Sequence, residues 1–118
     1  EKCTLVWDKL FGSNLFSSEV YEKELKYYVK KTNEDGTPLD SRKDYTKSDW
    51  ILWCASIAKT DEEAQALIAP VAHYLEATAT RVPFSDWYET VTGESCHFMG
   101  RSVQGGIFMP VLMKKFGQ

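Results

Sequence analysis

The chain has 118 residues, which fits one domain and is long enough to fold without disulfides or metals. Hydrophobic residues make up 43% and aromatic residues 14%, so a packed core is expected. The net charge of −3 carries no basic stripe, which argues against a nucleic-acid partner.

In chain order, the pattern predicts five helical segments. The first covers about Cys3 to Phe11 and stops at Gly12. The second runs from about Ser18 to Lys31, with Tyr21, Leu25, Tyr28 and Val29 on one side and Glu19, Glu22, Lys23, Lys26 and Lys30 on the other. Its pairs Glu19–Lys23 and Glu22–Lys26 have the favourable i,i+4 order, and the turn Asn33-Glu-Asp-Gly-Thr-Pro38 follows it. The third spans about Lys47 to Ala58, with Thr46 and Asp49 in capping-box position; from Trp50 onward only Ser56 is polar, so it should be buried on most sides. The fourth spans about Asp61 to Thr80. Thr60 and Glu63 form a second capping box, Leu67, Ile68, Val71 and Leu75 face inward, and Pro70 should bend or divide the helix. A long segment, Arg81 to Ser102, then contains the turn Thr90-Val-Thr-Gly-Glu94 and at most a small β-hairpin near residues 88–98. The fifth helix covers about Val103 to Lys115 and is apolar from Ile107 to Met113.

Amphipathic and all-apolar helices therefore alternate, as in antiparallel hairpins that place one helix outside and the next inside. Two buried helices have too few covering helices here, so the isolated chain should leave apolar surface unmet or meet it by self-association. No apolar run is long enough to span a bilayer. The sequence opens with Glu1 and not Met and enters an apolar stretch at once, which suggests a truncated leader and a longer parent chain. The cysteines Cys3, Cys54 and Cys96 allow at most one internal disulfide, show no zinc spacing, and Cys54 should be a buried thiol. No metal or cofactor is expected.

Consecutive helices joined by short turns run antiparallel, so the short Lys59-Thr60 connection marks one end of the bundle. The two long connections, Thr32 to Thr46 and Arg81 to Ser102, then share the opposite end, together with the N-termini of both apolar helices. Asp40, Asp49 and Asp86 are the candidate acid–base carboxylates of that end. Arg42, Tyr45, Lys47, Trp87, Tyr88 and Arg101 are the candidate substrate-binding residues, the arginines for a carboxylate and the aromatic rings for a sugar or an amide. Each has a plainer reading. Asp49 can serve as a cap, Asp40 and Asp86 as turn formers, and the arginines as braces for the acids. Trp50 and Trp53 read as core, and His73 as exposed and inert. Serine-hydrolase, dinucleotide and P-loop signatures are missing from the sequence.

Five ordered stretches carry a resemblance. Val6-Trp-Asp-Lys-Leu10, Pro38-Leu-Asp-Ser-Arg42, Tyr45-Thr-Lys-Ser-Asp-Trp50, Arg81-Val-Pro-Phe-Ser-Asp-Trp-Tyr88 and Arg101-Ser-Val-Gln-Gly-Gly106 resemble the C-terminal region of the glutaminase A family. The resemblance implies an all-α fold of antiparallel hairpins, part of an α/α-toroid of the six-hairpin glycosidase-like type. It implies a single helical domain over 1–118 that belongs to a longer, secreted or periplasmic hydrolase, with the rest of that chain as its partner. The implied reaction is hydrolysis of glutamine's side-chain amide to glutamate and ammonia, and the isolated piece is expected to be inactive. A carbohydrate-processing or carbohydrate-binding piece and a non-catalytic interaction module stand as alternatives.

Overall fold

Ala, Leu, Glu and Lys-rich stretches with apolar residues at helical spacing become helices, and the computed structural model, which describes residues 2–117, contains five of them among those residues. They are α1 (Leu5–Phe11), α2 (Ser18–Lys31), α3 (Ser48–Ala55), α4 (Asp61–Ala77) and α5 (Met109–Phe116). Strands β1 (Tyr45–Lys47) and β2 (Trp87–Glu89) form a two-stranded antiparallel sheet, and a 3-10 stretch, Ser102–Phe108, leads into α5. The fold is thus mostly helical with one small sheet, in line with the helical-hairpin expectation.

The central element is α3. It packs against α1, α4, α5 and the 3-10 stretch, and its Ile51, Leu52, Cys54 and Ala55 are buried. Around it, Leu5 and Val6 of α1, Leu25 and Tyr28 of α2, Leu67 and Val71 of α4, and Met109 of α5 join in one apolar cluster. Tyr74, not among the expected inward residues, is fully buried; its ring stacks on Tyr88 with centroids 3.5 Å apart and its hydroxyl donates to the Ser85 carbonyl at 2.8 Å.

Local chemistry explains most helix ends. Gly12 closes α1 in the left-handed region (φ 63°), which a glycine adopts without a Cβ penalty. Thr60 caps α4 as expected, its hydroxyl accepting the Glu63 N–H at 3.2 Å, while Glu63 reaches the Lys59 N–H, one residue before the cap. Pro70 does not divide α4, which runs unbroken past it. That helix ends at Ala77 and not Thr80 because the Thr78 hydroxyl turns to the Gly93 carbonyl at 3.0 Å.

Two expectations are corrected. Thr46 and Asp49 do not form a capping box. Thr46 is held extended in β1 opposite Tyr88, the helix starts one residue later, and Lys47 stands at the cap without a side-chain bond. The loop supplies the missing acceptor: the Ser48 N–H donates to the Asp86 carbonyl at 2.8 Å. The fifth helix is not buried. Its first turns, which contain Gly105-Gly106, take the tighter 3-10 form, and only Met109 of α5 is buried. Val111 and Phe116 are 65% and 60% exposed, Phe11 at the end of α1 is 71% exposed, and Leu15 in the segment after it is 76% exposed. The surplus of apolar surface expected from the alternating pattern is present, part of it on α5 and the end of α1 and the rest spread over the loops and α2.

The segment near 88–98 does turn back on itself. Glu89 and Cys96 N–H groups reach the Glu94 and Trp87 carbonyls at 2.9 and 2.8 Å around Gly93. The pairing of β2 with β1, however, joins the two long loops in a way that neither sequence announces. It puts both at one end of the bundle, as the connectivity requires.

Replacing the fully buried Ile51 by Ala should cost about 2–5 kcal/mol, whereas Val82→Ala, on a 93% exposed side chain, should stay within about 0.5 kcal/mol. Urea unfolding of both variants measures the difference.

Candidate functional site

The loop end is assembled by main-chain and hydroxyl bonds that cross between distant segments. The register of the sheet is Tyr45↔Glu89, Thr46↔Tyr88 and Lys47↔Trp87. Thr90 donates its N–H and its hydroxyl to the Asp44 carbonyl at 3.1 and 2.5 Å, and its own carbonyl accepts the Asp35 N–H at 2.9 Å. Tyr88 sends its hydroxyl to the Asp35 carbonyl at 2.7 Å. Gly36 sits under this knot with φ 150°; a Cβ there would come within 2.9 Å of Ile51 Cδ1 and of the Tyr88 hydroxyl.

This frame brings Asp49 and Asp86 together. Asp86 is wholly buried, and Arg101 grips it bidentately: Nε donates to Oδ1 at 3.1 Å and an Nη2 donates to Oδ2. The guanidinium also lies 4.7 Å from the centre of the Phe98 ring. Hydrogen bonding to Asp86 raises the Arg101 pKa, with a further contribution from the charge of Asp49. Asp49, in the first turn of α3, is 4% exposed, and its Oδ1 has no hydrogen-bond partner. Burial pushes the Asp49 carboxyl up from its ordinary value, and the charge of Asp86 adds to the rise against the pull of backbone N–H groups and of Lys47. Both carboxyl groups are buried, but Asp86 is held by a guanidinium whereas Asp49 keeps an oxygen without a hydrogen-bond partner.

Asp40 does not join this pair. Its carboxylate takes the Arg42 N–H at 2.8 Å and the guanidinium Nε and Nη2 at 3.0 and 2.5 Å, and Arg42 holds its pKa down to about 2. Asp40 and Arg42 instead line a cleft of about 910 Å³ beside Lys2, Tyr27 and Lys31. Both candidate arginines thus hold carboxylates of this chain.

The aromatic candidates divide. Tyr88 lies in the core against Tyr74 and offers no face to a ligand, which corrects its reading as a stacking platform. Trp87 is half-buried, stacked on Phe98 at 5.7 Å and edge-on to Tyr45 at 5.5 Å. Lys47 reaches between two indoles, its Nζ 5.2 Å from the Trp50 ring centre and 5.7 Å from that of Trp87.

Three features escaped the sequence reading. His73 is not inert: its Nδ1 lies 2.6 Å from Oδ1 of the buried Asp35. Trp53 carries a buried Nε1 without a hydrogen-bond partner. Gly106 is the residue that lets the chain cross over this point, since a Cβ there would meet Asp49 Cβ at 2.8 Å and Trp53 Nε1 at 2.9 Å. Of these, only the Gly105-Gly106 doublet left a signal in the sequence.

A helical-hairpin domain with its polar chemistry gathered at one end is the class that this architecture defines. The chain belongs to the glutaminase A six helical-hairpin domain family, whose model matches residues 1–111. It is 32% identical over 109 residues to glutaminase A of Aspergillus oryzae, covering 90% of this chain and 16% of that protein. It is also 32% identical over 99 residues to a "probable glutaminase" of Arthroderma benhamiae, covering 81% of this chain and 11% of that one. The chain therefore spans about a sixth or less of the length of these curated relatives. No solved structure matches it significantly.

Arg101→Ala leaves the buried Asp86 without its counter-charge and should lower the melting temperature by more than about 5 °C, whereas Arg42→Ala, at an exposed pair, should shift it by less than about 2 °C. Calorimetry of the two variants checks the contrast. The hydrogen bond to Asp35 raises the His73 pKa above its ordinary 6.5, aided by the charges of Asp35, Glu34 and Glu76 and opposed by desolvation. The stabilisation from this pair is then complete below pH 6.5 and is lost as the pH rises through the raised value. Urea midpoints of wild type and His73→Gln should converge as the pH is raised from about 5 to about 8.

Proposed function

We propose that this domain contributes part of the cleft of a glutaminase, an amidohydrolase that converts the side-chain amide of glutamine to glutamate and ammonia. The observation that supports the reading most directly is the Asp49–Asp86–Arg101 cluster, two buried carboxyl groups with different surroundings at the loop end of the bundle. In this reading one carboxyl group takes the proton of an attacking water and the other gives a proton to the departing nitrogen. Water adds to the amide carbonyl, the C–N bond breaks, and glutamate and ammonia leave. Arg101 fixes the Asp86 carboxylate and so sets the distance over which the two groups cooperate. The names of the fungal relatives point to the same chemistry.

The exposed apolar residues of α1 and α5 favour a further element of the proposal. Additional helical hairpins of a longer polypeptide cover these faces and complete the toroid, and the chain in isolation associates with itself through them. The secreted or periplasmic location implied by the resemblance belongs to the same proposal. A carbohydrate site loses one of its two candidate stacking rings, because Tyr88 has no free face and Trp87 alone remains.

Ammonia release from L-glutamine by the full-length protein tests the catalytic reading. Asp49→Asn and Asp86→Asn should each lower kcat by about 100-fold or more, with folding confirmed by circular dichroism. Full activity in both folded variants would sink it.

A further inference from the structure

The cleft of about 910 Å³ that Asp40 and Arg42 line is walled by the C-terminal half of α2 and the loop that follows it, and neither Asp49 nor Asp86 borders it. Its loop wall is preformed. The Thr32 hydroxyl donates to the Tyr28 carbonyl at 2.8 Å and lies 2.8 Å from the Thr37 hydroxyl, and the Leu39 N–H donates to the Tyr45 carbonyl at 2.9 Å. Asp40 then accepts the Arg42 N–H and bridges to Lys43, a tight turn that brings Arg42 and Lys43 to the cleft. On the α2 side, Glu24 is neutralised: Lys2 Nζ donates to its Oε1 at 2.7 Å and the Tyr28 hydroxyl to its Oε2 at 2.6 Å.

Four cations and three acids line this cleft, a positive balance in a chain whose net charge is −3. Lys2 pairs with Glu24 and Arg42 with Asp40, so the acid left over is Asp44. Lys31 and Lys43 enter no ion pair among the described residues. Arg42 is also less spent than its pairing suggests. Asp40 occupies Nε and Nη2, which holds the guanidinium in a fixed orientation and leaves the two N–H groups of Nη1 to another acceptor. The dipole of α2 favours both Lys30 and Lys31 in its last turn, but only Lys31 lines the cleft. Beside it lies Tyr27, 51% exposed, with Lys31 Nζ 5.8 Å from its ring centre.

We infer that this cleft binds a small aromatic oxyanion, its phosphate or carboxylate group shared by Lys31, Lys43 and Arg42 Nη1 and its ring against Tyr27. Two like charges brought to one cleft by different elements repel each other, and an anion between them removes that cost. Lysine offers rotatable donors that adapt to either oxyanion, and the pinned guanidinium adds a directed one. A neutral ring would leave the cations unmet, and a bare anion would leave Tyr27 unmet. The cations are exposed, so binding is weakened by salt. The inference is independent of the amidohydrolase reading, since the carboxyl pair of that reading lies outside the cleft.

The test is calorimetric titration of the full-length protein, at low salt, with phenyl phosphate, benzoate, phenol and inorganic phosphate. At least one of the two aromatic anions should bind and phenol should not. Lys31→Gln and Lys43→Gln, both at exposed positions, should each weaken the bound anion about fivefold. Lys23→Gln, on the same helix but paired with Glu19, is the charge control and should bind as wild type does. Tyr27→Leu should bring the aromatic anion down to the affinity of inorganic phosphate. Binding of phenyl phosphate alone, or of benzoate alone, upholds the site and names its anion. No binding of either, equal binding of phenol, wild-type affinity in Lys31→Gln and Lys43→Gln, an equal loss in Lys23→Gln, or wild-type affinity in Tyr27→Leu would overturn the inference.

Discussion

Three residue pairs of antiparallel sheet, together with the Ser48 N–H bond to the Asp86 carbonyl, hold the polar end of this domain in place. A two-stranded sheet this short has little stability of its own, so its persistence depends on what it is packed against. Below it lie Ile51 of α3 and the stacked rings of Tyr74 and Tyr88, all fully buried. The core thus supports the sheet, and the sheet aligns two loops that lie about 40 residues apart in the chain. Without that pairing Asp86 would have no fixed relation to α3, and Asp49 would be an ordinary residue of a helix start.

The same arrangement explains why charge is tolerated in so buried a place. An isolated carboxylate inside a protein carries a large desolvation cost, and proteins meet it by pairing or by protonation. Both solutions stand side by side here. Asp86 is paired with Arg101, whereas burial, with the charge of Asp86 adding to it, shifts the Asp49 carboxyl toward its neutral form. The pair at Asp40 and Arg42 has similar hydrogen bonds but an exposed setting, and it braces a turn. Burial, more than residue type, separates the two acid–arginine pairs.

Much of the fold was legible in the sequence because helix signals are local. Ser18–Lys31 was readable to the residue from its stripe and i,i+4 pairs, and Thr60 with Glu63 marked the start of α4. The placement of both long loops at one end followed from connectivity alone. What escaped was set by distant partners. Thr46 reads as a cap until β2 claims it as a strand residue, and Tyr88 reads as a surface ring until Tyr74 takes its face. The apolar α5 reads as an inner helix, because periodicity reports that a face wants cover and says nothing of which segment provides it. At the candidate site the acidic residues were visible by type. Trp53 and Gly106 were not, since their part depends on a side chain and a backbone meeting across half the chain.

Lys47 closes β1 and also caps α3, so strand and helix meet with no residue between them. A connection of that kind has no linker residues, so a change of angle between strand and helix must fall on the torsions at Lys47 and Ser48. The position of β1 therefore sets where α3 begins, and with it the place of Asp49 in the first turn. The polar end and the central helix are joined in one continuous run of backbone. The covering Ser102–Phe108 stretch rests on this start of α3 through Gly106, so the same few residues carry sheet, helix and cover at once.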